Sequence, residues 1–189
     1  MSASPLPRTE GTYEDLLALP ENVIGEIIEG ELVASPRPAA PHARASSRIG
    51  MNVGTPFDDG RGGPGGWWII DEPELHLGHH VLVPDLAGWR RERMPVFPTG
   101  PFFIVAPDWV CEVISPSSQR IDRVRKLPIY LEHGVSWAWL VDPLARTLEV
   151  YQREGNRWTV LSVHEGDDVV RAAPFDEIEI AIEGWWVPG

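Results

Sequence analysis

Apolar positions along the chain fall mostly in short runs separated by Gly, Pro and acidic turns, a pattern that favours strands over long helices. Residues 25–33 read as two short strands hinged at Gly30. Trp67-Trp68-Ile69-Ile70 opens a strand that resumes after Pro73 at 74–77, and with Val81–Ala87 it predicts a meander over 67–87. Trp109–Ile114 and Ser136–Val141 are further interior strands. Thr147–Tyr151 and Arg157–Leu161 form a hairpin around Glu154-Gly155-Asn156, and 169–170 with 178–182 add edge pieces. Helical spacing occurs in three places. Thr12 caps a helix that Pro20 ends, with Asp15 closing a capping box. His42–Met51 puts Ala45, Ile49 and Val53 on one face, and Pro56 closes it. Gln119–Glu132 turns Val124, Leu127, Tyr130 and Leu131 inward, with a kink at Pro128. The sum is one α/β (α+β mixed) domain over residues 12–183, preceded by a flexible Pro- and Ser-rich segment, 1–11.

Two of the strands carry an acid where an interior strand normally has none: Asp85 within 81–87 and Glu112 within 109–114. Carboxylates are rarely buried unless paired or bound to a metal. If the two faces meet, a divalent cation, Mg²⁺ or Mn²⁺, relieves the repulsion, with the backbone carbonyl of Val113 as a further oxygen. Lys126 on the following helix would steady an attacking water or developing charge, and Asp122 shares its helix face. Glu26, Glu29 and Glu31 are candidates for a third acid, with Glu26 on the opposite side of its strand from Glu29 and Glu31. His42, at a helix start, is a candidate contact to substrate phosphate. On the residues alone the alternative stays open that Asp85 is a turn residue, Glu112 pairs with an Arg, and Lys126 pairs with Asp122 on the surface. Arg90, Arg91 and Arg93 lie in the 88–101 stretch, read as an exposed loop and the best candidate for phosphate contact. The Gly-rich stretch 60–66 lacks the Gly-Lys-Ser/Thr ending of a phosphate-binding loop and reads as a turn.

Composition narrows the partners. Sixteen basic against 28 acidic residues give a formal charge of −12, which disfavours unspecific attraction to nucleic acid or anionic membranes. A local Arg cluster or bound cation can still reverse the field at one site. The single Cys, Cys111, excludes an internal disulfide. No window reaches the length of a membrane span, so a cytoplasmic soluble protein is expected. Of the 16 basic residues only Lys126 is a lysine, a usage that asks for a role arginine does not replace.

Gly-Glu-Ile-Ile-Glu-Gly-Glu-Leu-Val at 25–33, His42, Val-Pro-Asp-Leu-Ala at 83–87 and Glu-Val-Ile-Ser-Pro-Ser-Ser at 112–118 together resemble the Uma2 family. Asp122, Lys126-Leu127, Tyr130, Gly134-Val135 and Trp139-Leu140-Val141-Asp142-Pro143 continue the pattern. That family is similar to the PD-(D/E)XK nucleases, whose fold is a restriction-endonuclease-like mixed central sheet flanked by helices. The resemblance implies a metal-dependent endonuclease hydrolysing DNA, and homodimers. It matches Asp85 to the Pro-Asp acid, Glu112 to the second strand acid and Glu26, with Glu29 as the alternative, to an early acid. The superfamily's commonest Lys position is occupied here by Ile114, and Lys126 matches a lysine supplied from the next helix. Two other functions fit the same residues: a nuclease-fold binding or structural module without turnover, and a hydrolase of RNA or a small phosphorylated compound.

Overall fold

The computed structural model describes residues 11–188. Apart from Gly11, the N-terminal segment read as flexible lies outside them. A six-stranded mixed sheet forms the centre. Its strands are β3 (Trp67–Asp71), β6 (Leu86–Arg90), β7 (Trp109–Val113), β8 (Trp137–Asp142), β9 (Thr147–Glu154) and β10 (Arg157–Glu165). They lie in the order β10-β9-β8-β7-β6-β3, and only β7 and β8 run parallel. A second sheet of four strands joins β1 (Val23–Ile28), β2 (Glu31–Pro36), β4 (Leu75–Leu77) and β5 (His80–Leu82), and β11 (Val169–Val170) pairs with β12 (Ile180–Ala181). This is the mixed α/β architecture the apolar pattern predicts, with the 147–165 hairpin in place.

One difference from the sequence reading builds the site. The run 81–87 is not a single strand, and 67–87 is not a simple meander: β4 and β5 pair with each other, β5 continues onto β1, and β3 pairs instead with β6. Val83, Pro84 and Asp85 carry the chain from the small sheet to the large one. Pro84 lacks the N–H a strand ladder needs, which makes it a natural breaking point.

Each face of the large sheet has its own core. On one, α2 (Ala40–Val53) buries Ala45, Ile49 and Val53 against Trp109, Cys111, Val113 and Trp139, joined by Phe175 and Trp185. The α2 face is the one the sequence spacing gives. On the other, Val110, Ile114, Ala138 and Leu140 pack with Leu127, Ile129 and Tyr130 and with the small sheet through Leu75 and Leu82. The Thr12–Asp15 capping box is present at α1 (Tyr13–Leu17).

The 119–132 helix departs from a regular one. α3 (Gln119–Ile121) passes through a π-helical turn, Asp122–Lys126, before α4 (Leu127–Glu132). The wider turn changes which side chains face inward. Val124 is exposed, whereas Asp122, Lys126, Leu127, Ile129 and Tyr130 are buried. Among the described residues no helix is long and apolar enough to cross a membrane.

Candidate functional site: a buried carboxylate and lysine cluster

The crossover, β7 and the π-helical turn converge on Lys126. Its ammonium lies 2.8 Å from Glu26 Oε1 and 2.9 Å from Glu112 Oε1, with Asp122 Oδ1 at 3.8 Å. Only 3% of the lysine side chain is exposed. It also donates to the Val83 carbonyl at 3.3 Å, and Glu26 Oε1 accepts the Val83 N–H at 2.8 Å. The small sheet, the large sheet and the helix are therefore joined at one charge.

Tyr130 completes this part of the cluster. Its hydroxyl donates to Glu112 Oε1 at 2.6 Å. The sequence places Tyr130 in the core and in the Uma2 pattern without assigning it to the site, yet it stands four residues after Lys126 and so shares a helix face. That spacing was the available signal.

Asp85 belongs to the neighbourhood but has different partners. Oδ2 accepts the Val113 N–H at 2.7 Å, and Oδ1 lies 3.2 Å from His42 Nε2. No ion pair links Asp85 to Lys126 among the described residues. Placed before β6, Asp85 caps the end of β7 and reaches α2, whereas Glu112 points to the opposite face, toward α4. The four residues matched to a nuclease centre are thus divided: Lys126, Glu112 and Glu26 form one group, and Asp85 pairs with His42.

The electrostatics follow from burial and an excess of acid. Burial raises the Glu112 pKa well above the ordinary carboxylate value; Lys126 opposes this, while Asp122, Asp85 and Glu26 add to it. Burial likewise raises Asp122. For Lys126 burial works against the charge, but Glu112 and Glu26 outweigh it and hold the ammonium well above its usual value. His42 behaves in the same way: burial lowers its pKa, Asp85 raises it, and the net direction is upward. Burial also pushes up the Cys111 thiol, in the core on the far side of β7 from Tyr130. It is a packed small hydrophobe.

The remaining candidates are held elsewhere. Arg125 pins the π-helical turn to the small sheet, donating to the Ile28 carbonyl at 2.7 Å and pairing with Glu31 at 3.0 Å and Glu29 at 3.3 Å. Glu29 and Glu31 therefore face away from the cluster that Glu26 enters. Arg123 pins the other flank to Glu149 of β9 with contacts of 2.9 and 2.5 Å. Arg90, Arg91 and Arg93 begin five residues beyond Asp85 along β6, roughly 16 Å at about 3.3 Å per residue. They are not a free patch. Arg90 stacks over Trp67 and Trp137, Arg91 pairs with Asp58 at 2.5 Å, and Arg93 pairs with Asp108 at 2.7 Å.

The expected metal centre is corrected by this geometry. Among the described residues no group of three or more His, Cys, Asp or Glu side chains is arranged to hold a metal ion. A Mg²⁺ ion needs oxygens converging at about 2.0–2.1 Å. Instead Glu112 Oε1 is shared by the Lys126 ammonium and the Tyr130 hydroxyl, and both Asp85 oxygens are engaged by His42 and Val113 N–H. The proposed ligands Asp85, Glu112, Glu26 and the Val113 carbonyl do not form a Mg²⁺ or Mn²⁺ site. The reading as a divalent-metal-dependent endodeoxyribonuclease does not stand.

Residues 12–183 match Uma2, a family described as "Putative restriction endonuclease". The chain belongs to the Uma2 family. A solved structure described as a "putative nuclease belonging to DUF820 from Anabaena variabilis" has a TM-score of 0.72 and 26% identity, covering 92% of this chain and 96% of that one. No curated protein matches the sequence. The Uma2 pattern thus carries the nuclease-like fold of its relatives, with Glu26 and Glu112 paired to a buried lysine.

Proposed function

We propose that this Uma2 chain is a nuclease-fold binding or structural module without metal-dependent turnover, formed as one domain over residues 12–183. The supporting observation is Lys126, seated 2.8 and 2.9 Å from Glu26 and Glu112. An ammonium there supplies internally the positive charge that buried carboxylates require. On this reading Asp85, Glu112, Lys126, Glu26, His42 and Asp122 are positioning residues that hold the two sheets and the π-helical turn together. Nucleic acid is the partner favoured by the nuclease-like fold. Incubating the protein with labelled duplex DNA and Mg²⁺ or Mn²⁺ should give retarded but intact strands. Cleavage that disappears in Lys126→Met would overturn the module reading, and absence of any retardation would remove nucleic acid as the partner.

A homodimer fits the same reading. Strand β10 has β9 as its one neighbour in the sheet, and it leaves Val160 and Val163 50% and 61% exposed. Unpaired apolar edges of this kind invite a further strand. Light scattering should give twice the chain mass; a monomer across the concentration range would remove the proposal.

A further inference from the structure

In a chain with a formal charge of −12, three arginines gather without an ion pair among the described residues. Arg44 and Arg48 stand one turn apart on α2, and Arg146 lies in the turn between β8 and β9. None makes an ion pair with a described carboxylate. Arg44 and Arg146 line a cleft of about 410 Å³ with Glu183, Gly184, Trp186, Val187 and Pro188.

The group is held in place. Arg44 Nε donates to the Trp186 carbonyl at 2.7 Å, which orients the guanidinium and leaves its two amino groups available. Arg48 packs beside Gly184, where an added Cβ would come within 3.1 Å of Nη2. Its Nε is buried with no hydrogen-bond partner among the described residues. Arg146 sits at φ 58°, a left-handed backbone conformation that favours glycine. Its carbonyl accepts the Gly166 N–H at 2.9 Å. Glu183 is the opposing charge in the lining, against two guanidiniums.

We propose that this cleft binds a phosphate-bearing ligand through Arg44 and Arg146, with Arg48 packed against Gly184 of its wall. Planar guanidiniums match phosphate oxygens in paired hydrogen bonds, and two of them neutralise a phosphate without an ammonium. The site lies apart from the Lys126 cluster and is independent of whether that cluster supports chemistry. The ligand is either a free phosphate compound or a nucleic-acid backbone.

The test is a titration of the full chain with inorganic phosphate, followed by phosphorus NMR, and with a fluorescent single-stranded oligonucleotide, followed by anisotropy. Arg44→Ala and Arg146→Gly, the latter suited to the left-handed backbone, should each weaken binding by about tenfold or more. Arg157→Ala, which removes an equal charge at the β9–β10 hairpin, should leave it unchanged, with circular dichroism confirming the fold of each variant. Displacement of the oligonucleotide by phosphate would identify the phosphoryl group itself as the ligand. Arginine-dependent oligonucleotide binding that phosphate does not displace would identify the backbone. Absence of binding to either probe, or equal losses in Arg157→Ala, would overturn the proposal.

Discussion

At the scale of single residues, Lys126 has the largest energetic consequence. Removing one partner of a buried ion pair leaves the other charged and unsolvated, at a cost of about 3–5 kcal/mol. Lys126→Met should lose about that much stability in urea denaturation, and adding Glu26→Gln and Glu112→Gln should restore a large part of it. A loss below about 1 kcal/mol would show the lysine to be dispensable. His42 gives a pH signature. Its folded pKa is raised above 6.5, so its contribution to stability is complete below that value and disappears as pH rises through the folded pKa. The stability difference between wild type and His42→Gln should therefore be larger at about pH 6 than at about pH 8.5; a difference that grows with pH would contradict the Asp85 pairing. Lys126 was legible as exceptional because it is the only lysine. Its division of partners with Asp85 was not, because a one-dimensional pattern does not say toward which neighbouring element each acid points.

Among the elements, the crossover at Val83–Asp85 and the π-helical turn decide where those side chains go. Periodicity located the helix region but not its register: Pro128 suggested a kink, whereas the observed change is a widened turn just before it, which buries Asp122 and Lys126 and exposes Val124. The split of 81–87 was hidden because the apolar residues on both sides of Pro84-Asp85 read as one run, although Pro84 marked the break. Strand β6 has a further constraint at Gly88, where an added Cβ would meet Ile69 at 3.0 Å, Trp109 at 3.1 Å and Trp67 at 3.3 Å. Rings crowding a central strand leave little room to relax, so Gly88→Ala should destabilise by about 1–3 kcal/mol in thermal or urea unfolding. An unchanged midpoint would show that the aromatic layer shifts freely.

For the whole molecule, the nuclease-like fold was legible from motifs spaced over the chain, and the family and the related structure bear it out. The chemistry did not follow from the fold, because function depends on where a few oxygens and one ammonium are placed. The central claim is that Lys126 occupies the place between Glu26 and Glu112 that a metal ion would need. Calorimetric titration of the wild-type chain with Mn²⁺ tests it most directly. The account predicts no saturable uptake at the cluster; stoichiometric Mn²⁺ binding that is lost on Glu112→Gln or Asp85→Asn would contradict it.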